Sequence, residues 1–203
     1  MRPLFIVVEG IDGAGTTTCS KLLAERMRGP DTPVLWTKQP SDGTIGRHIR
    51  RILKGEEAAD ELGMFPLFLA DRHDHVASII RPHLDQGETV ICDRYAYSTW
   101  VYQQDNYDPF LIEYMHRKVL APHYVFVLAA PVEECARRLS DREFMERYEV
   151  LEKQEEYYMR YFEVPALGTE KKAIIGTLNN PPEKVVDNML AFIEEHERIG
   201  YGG

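Results

Sequence analysis

The sequence predicts an α/β protein built on a doubly wound, parallel, five-stranded sheet flanked by helices. Three observations carry that prediction. Short β-type apolar runs alternate with helical patterns along all 203 residues. The runs are apolar throughout rather than alternating in polarity, as strands covered on both faces should be. The first of them ends in a glycine-rich turn, EGIDGAGTTTCS at 9–20, which leads straight into a helical stretch.

The elements follow in order. LFIVV at 4–8 is the first strand, and the turn after it opens a helix over 16–28. VLW at 34–36 is the second strand, followed by helical patterns over 44–54 and 65–86. TVIC at 89–92 is the third, and the helix expected over 96–118 should break near Pro109, because proline cannot continue a helical ladder. HYVFVL at 123–128 is the fourth, with helices over 131–139 and 146–162. AIIG at 173–176 is the fifth, and a last helix spans 181–198 before a loose GYGG tail. No repeat or low-complexity tract divides the chain, so residues 1–203 are expected to form one domain.

Composition narrows the function. A net charge of −9 argues against an extended nucleic-acid surface, which needs a basic stripe. No window approaches the ~20 apolar residues of a membrane span, and no leader pattern precedes the first strand. Cys19, Cys92 and Cys135 are scattered and odd in number, fitting neither a disulfide framework nor a metal box, so a reducing cytoplasm is the expected setting. An acidic protein still binds an anionic ligand if its few cations converge in one cleft.

The turn at 10–17 has the outline of a phosphate-binding P-loop, with a Gly-x-x-x-x-Gly frame running from Gly10 to Gly15. Gly10, Gly13 and Gly15 permit the close approach that lets backbone N–H groups converge on an anion, and Ala14 and Thr18 complete the loop and first helical turn. Thr17 stands where the loop hydroxyl would ligand Mg²⁺. Thr16 stands where such loops carry lysine. A ligand-free glycine turn is the plain alternative, weakened by the position directly after the first strand. Doubly wound sheets bind ligands beyond the carboxyl ends of their strands, where Asp12, Lys38, Asp93 and Arg94 all fall.

Further on come LFLADRHDHVASIIRPHLDQGETVICDRYAYSTWVYQ and RRLSDREFMERYE. Together with EGIDGAG, TKQP and NNPPEKV these resemble the thymidylate kinases, P-loop enzymes that phosphorylate dTMP, over most of the chain and in the right order. The resemblance implies ATP as co-substrate, Mg²⁺ as cofactor and a homodimer. It places the nucleotide-donor site on Gly10–Thr18. It assigns Asp93 to hydrated Mg²⁺ with Thr17, and Arg94 to the acceptor phosphate, where a planar guanidinium suits phosphate oxygens. Phe68 and Arg72, one helical turn apart, would stack on and donate to the pyrimidine. Asp12 would accept from the sugar 3′-hydroxyl, and Tyr102 would crowd a 2′-hydroxyl. Ser98 and Gln103 would face the same cleft, and Lys38 stands where the family more often has arginine. From spacing alone, Phe68–Arg72 also reads as a core ring beside an ion-paired arginine, and Asp93–Arg94 as a structural ion pair.

The family divides between members with an arginine inside the loop and members with arginines in a lid. Gly13 and Ala14 exclude the first type here. Arg137, Arg138, Arg142 and Arg147 place the chain with the second, in a lid over about 137–149, although interleaved Asp141, Glu143 and Glu146 also suit a solvated helix face. Arg142 and Arg147 are the expected catalytic cations, Arg142 first among them. A broader deoxynucleoside monophosphate kinase, a deoxynucleoside kinase, or a nucleotide-binding homologue weakened by Thr16 are the competing readings.

Overall fold

The computed structural model describes residues 2–140 and 151–200. Its sheet has five parallel strands in the order β2-β3-β1-β4-β5: β1 (Phe5–Glu9), β2 (Val34–Lys38), β3 (Thr89–Asp93), β4 (Tyr124–Ala129) and β5 (Lys171–Gly176). β1 sits at the centre, and Phe5, Ile6, Val7 and Val8 are fully buried. Each such side chain stabilises the fold by roughly 1.5–3 kcal/mol. That margin lets the same strand end in a buried carboxylate, Glu9. The edge strand β5 is largely exposed and opens on two lysines, which discourages pairing with another chain.

Between the strands run α1 (Thr16–Met27), α2 (Thr44–Leu53), α3 (Glu61–His75), α4 (Arg81–Asp85), α5 (Ala96–Gln103), α6 (Pro109–His116), α7 (Val132–Leu139), α8 (Leu151–Glu163) and α9 (Pro182–Gly200). α1 packs on α9, α3 packs on α2 and α5, and α5 meets α6 and α8. No helix among the described residues is long and apolar enough to cross a membrane.

The architecture agrees with the sequence expectation, and two boundaries differ for identifiable reasons. The helix expected from residue 65 begins at Glu61, so Pro66 lies inside it. Proline cannot donate to the Leu62 carbonyl, and the Tyr107 hydroxyl does so instead. That helix does not run unbroken to 86. A π-helical turn, Val76–Ile80, joins α3 to α4 and re-phases the side chains between them. The stretch 96–118 breaks near Pro109 as expected, the second helix starting where Asp108 accepts from the Phe110 N–H at 2.8 Å with Pro109 in its first turn. The start expected for α8 at 146 lies outside the described residues.

In register, Lys38 of β2 lies beside Asp93 of β3, and Val8, just before Glu9, lies on the other side of Asp93. The ends of three adjacent strands thus deliver Glu9, Lys38 and Asp93 to one rim of the sheet.

Candidate active site

A cavity of about 440 Å³ opens at that rim. Its floor is the turn after β1. Gly15, in a left-handed conformation, precedes α1, and Gly13, Gly15, Thr16, Thr17 and Thr18 line the cavity. Gly10 and Ala14 do not line it. Ala14 is buried, and Gly10 contributes its carbonyl to an arginine described below. The loop glycines are required where the chain is most crowded. Gly13 has φ +84°, and a Cβ there would come within 2.5 Å of the Cys135 carbonyl oxygen on α7. Gly13→Ala is therefore expected to destabilise the fold by about 3 kcal/mol, through left-handed strain and overpacking. A scanning melt should drop by roughly 6–12 °C; an unchanged melting temperature would mean the loop relaxes freely.

Thr17 and Asp93 meet directly, the hydroxyl donating to Asp93 Oδ2 at 2.5 Å. Asp93 is only 5% exposed, and its Oδ1 has no hydrogen-bond partner among the described residues. A buried carboxylate oxygen without a partner costs about 1–3 kcal/mol, so it marks a place where something else is to be bound. Oxygen donors, one of them anionic, beside a helix N-terminus that attracts phosphate suit Mg²⁺, which takes one or two protein oxygens and keeps several waters. Thr17 and Asp93 therefore fit that ion. Thr16, in the lysine position, is 6% exposed and offers no charge.

Arg94 follows Asp93 and has φ +65°, a left-handed conformation that costs a non-glycine residue about 1–2 kcal/mol. The effect is to break the alternation of the strand, so that Asp93 and Arg94 both line the cavity. The backbone N–H of Arg94 still donates to the Val8 carbonyl at 2.9 Å, and its guanidinium is tightly held. Nη2 donates to Asp12 at 2.5 Å, while Nη1 donates to the Gly10 carbonyl at 2.6 Å and lies 3.3 Å from Ser98 Oγ and 3.2 Å from the Tyr161 hydroxyl. Burial opposes its charge, but Asp12 and the neighbouring tyrosines and Asp93 outweigh this and hold its pKa well above the ordinary arginine value. It stays cationic.

Beneath Arg94 lies Glu9, which accepts from the Tyr95 N–H at 2.7 Å and the Ser98 hydroxyl at 2.5 Å. Burial pushes its pKa up, against the Ser98 hydrogen bond and the Arg94 charge. Ser98 spends its one hydrogen on Glu9, and the Tyr161 hydroxyl, 2.9 Å from Ser98 Oγ, also donates to Glu9 Oε2 at 3.3 Å. Tyr161, from α8, thereby ties that helix to the arginine. Tyr102 packs edge-on against Tyr157 and Tyr161, with its ring centroid 5.9 Å from the Arg94 guanidinium carbon, and lines the cavity beside Gln103.

Across the cavity stand Phe68 and Arg72 of α3. Phe68 is half-buried and packs on Ile49, Ile52, Leu53 and Met64, which fixes one side of its ring while the residue still lines the cavity. Arg72 is 1% exposed. Its Nε donates to Gln39 Oε1 at 3.0 Å, Nη1 to His116 Nε2 at 2.9 Å, and Nη2 to the Tyr95 carbonyl and Thr99 Oγ1 at 2.8 and 2.9 Å. Burial lowers the Arg72 pKa from its ordinary value, with nearby Tyr95, Glu9 and Asp71 opposing the shift. Lys38, at the mouth, pairs with Asp42 at 3.7 Å.

Of the lid arginines, Arg137 pairs with Glu134 on the surface, away from the cavity lining. Arg138 does line the cavity. It donates from Nη1 to the Gly13 carbonyl at 3.2 Å and from Nη2 to the Thr177 carbonyl at 3.1 Å. Arg142 and Arg147 lie outside the described residues.

The cavity therefore brings together Asp12, Gly13, Gly15, Thr16, Thr17, Thr18, Lys38, Phe68, Arg72, Asp93, Arg94, Ser98, Tyr102 and Gln103. Sequence reasoning missed Glu9, Gln39, His116 and Tyr161. Glu9 left a signal, a charge at the end of an otherwise apolar buried strand. Tyr161 left none, since its partner Glu9 is 152 residues away.

Comparison with known proteins agrees with this geometry. The family model described as thymidylate kinase matches residues 8–189. A probable thymidylate kinase of Methanocaldococcus jannaschii is 36% identical over 190 residues, covering 88% of this chain and 97% of that protein. One from Pyrococcus horikoshii is 35% identical over 207 residues, covering 98% and 100%. The solved thymidylate kinase of Candida albicans superposes with a TM-score of 0.79 over 97% of this chain and 93% of its own, at 23% identity, a likeness of architecture. With a phosphate loop, a carboxylate–hydroxyl pair and an arginine fork in one cavity, and relatives matching nearly end to end, this chain belongs to the thymidylate kinase family.

Proposed function

We propose that the protein transfers the γ-phosphate of ATP to dTMP, giving dTDP and ADP, with Mg²⁺ as cofactor. What supports the reading above all is the position of Arg94, an anion-binding fork set between the phosphate loop and the Phe68–Arg72 pocket. A nucleoside kinase must deprotonate a neutral 5′-hydroxyl and needs a carboxylate there. A buried, permanently charged arginine suits an acceptor that is already a phosphate. Phe68 stacks on the base and Arg72 donates to it. Asp12 accepts from the sugar, and Tyr102 crowds a 2′-hydroxyl.

In the reaction an acceptor phosphate oxygen attacks the γ-phosphorus in line as the bond to the ADP oxygen breaks. No general base is called for, because the nucleophile is already ionised. The chain's task is alignment and charge stabilisation. The loop N–H groups from Gly13 to Thr18 hold the donor phosphates, and Arg94 holds the acceptor oxygens at the angle of attack. Bound through Thr17 and Asp93, Mg²⁺ supplies neutralisation of the phosphate oxygens. The segment 137–149 serves as the lid of a single kinase domain, and the enzyme works as a cytoplasmic homodimer. An ADP-release assay over dTMP, dUMP, other nucleoside monophosphates and thymidine tests the reading. Turnover of thymidine in preference to dTMP would overturn it.

The positive charge missing at Thr16 is replaced from the lid, Arg142 foremost. Losing one preorganised donor of this kind costs roughly 10²–10³ in rate unless another substitutes. Arg142→Ala or Arg147→Ala is expected to lower kcat at least about tenfold, or about 1.4 kcal/mol of barrier, while Thr16→Lys leaves activity equal or higher. Steady-state kinetics of the three variants decide, and two silent arginine variants would exclude the lid.

A further inference from the structure

Arg72 can only donate hydrogen bonds, and that single fact fixes the proton positions of everything around it. Its Nη1–H points at His116 Nε2, so this nitrogen must be an acceptor. The other ring nitrogen, Nδ1, is 2.7 Å from the Ile112 carbonyl, which can only accept, so Nδ1 must carry the proton. His116 is therefore neutral and the Nδ1–H tautomer. On the other side, Arg72 Nε–H requires Gln39 to present Oε1. The Gln39 amide must then turn its N–H₂ to His75 Nδ1 at 3.2 Å, which leaves His75 Nε2–H to donate to Thr37 Oγ1 at 2.8 Å. Each hydrogen bond along Thr37–His75–Gln39–Arg72–His116–Ile112 thus pairs one donor with one acceptor. Of the five N–H groups of Arg72, four are used, and the second hydrogen on Nη1 has no hydrogen-bond partner among the described residues.

We propose that His116, with Gln39, is a positioning residue that orients Arg72 so that one Nη1–H is left for the acceptor nucleotide. This rests on the reading that Arg72 meets the base. His116 does not itself line the cavity and reaches it only through the arginine, whereas Gln39 lines the cavity as well. His116 closes the side of the guanidinium opposite Gln39, packing against Phe65 at a ring separation of 5.9 Å. Without His116, Nη1 has two hydrogens and no protein acceptor, and only the bonds to Gln39, Tyr95 and Thr99 set the angle of the fork. The ring also has to stay neutral, since a proton on Nε2 would face a guanidinium. Burial and the Arg72 charge push its pKa down to about 3, so it carries no proton there in any ordinary buffer.

The test combines kinetics with a direct view of the proton. His116→Leu should raise KM for dTMP by at least about tenfold, the usual scale for an unmet hydrogen bond to a charged group, with KM for ATP unchanged. His116→Gln, which keeps an acceptor near the Nε2 position, should stay within about threefold of the unsubstituted enzyme for both substrates. A purely structural histidine would not separate the two variants or the two substrates. In ¹⁵N-labelled full-length protein, the His116 ring should show the neutral Nδ1–H pattern across pH 5 to 8. An unchanged dTMP KM in the leucine variant, an equal loss in both variants, or an Nε2–H or doubly protonated ring would each overturn the inference. If the unsubstituted protein makes no dTDP, it is the proposed reaction that fails, and the ring spectrum still decides the proton on His116.

Discussion

Arg94→Ala is expected to lower kcat/KM for dTMP by about 10³-fold, roughly 4 kcal/mol of transition-state stabilisation. Two effects add. The acceptor phosphate loses a fork already held by Asp12 and the Gly10 carbonyl, so ordering a replacement has to be done afresh at each turnover. The buried Glu9 also loses the cation that helps keep its pKa down. Arg94→Lys should recover only part of the rate, because an ammonium supplies charge without the planar fork. Arg94→Gly separates activity from folding. Its kinetics should match those of alanine, while its melting temperature should lie above that of alanine, because glycine takes φ +65° without the 1–2 kcal/mol strain noted for other residues. Loss of less than about threefold in the alanine variant would remove Arg94 from the reaction.

Asp93→Asn should cost 10²–10³-fold in kcat/KM and move the half-saturating Mg²⁺ concentration upward, an amide being a far poorer partner for a hard dication than a carboxylate. Its stability should go the other way. Asp93 is buried with Oδ1 unpartnered among the described residues, and removing that charge relieves a desolvation cost. The metal-free variant should therefore melt at the same temperature as the unsubstituted protein or above it, the trade expected where a fold keeps an unfavourable group for its chemistry. A Mg²⁺ dependence identical to the unsubstituted enzyme would exclude Asp93 from the ion's site.

The sheet was legible because its strands announce themselves twice, by composition and by the turns that end them. LFIVV and HYVFVL have no polar face, which restricts them to the interior of a parallel sheet, and both are there, buried nearly throughout. The loop was legible for the same kind of reason, since its function is carried by neighbours in sequence. The groups behind the cavity were not. His116 reaches Arg72 across 44 positions and Gln39 reaches it across 33, and no spacing rule links either pair. The helix boundary at Glu61 escaped because the donor that satisfies the Leu62 carbonyl comes from Tyr107, 45 residues away. Local rules put Pro66 in a first turn, and a tertiary hydrogen bond allowed it further in. Family resemblance named Arg72, but only coordinates reveal that four of its five donors are occupied.

The wide turn at Val76–Ile80 separates two tasks within one rod. Upstream, Phe68 and Arg72 line the cavity; within the turn, Val76 and Ile80 are sealed in the main core, and downstream Leu84 packs against it. Each residue added to or taken from a helix swings everything beyond it by about 100°. Length variants at this joint would therefore spin the Phe68–Arg72 end relative to an anchored one. Insertions or deletions here would thus re-aim Phe68 and Arg72 within the cavity without passing through the sheet, the phosphate turn or Arg94.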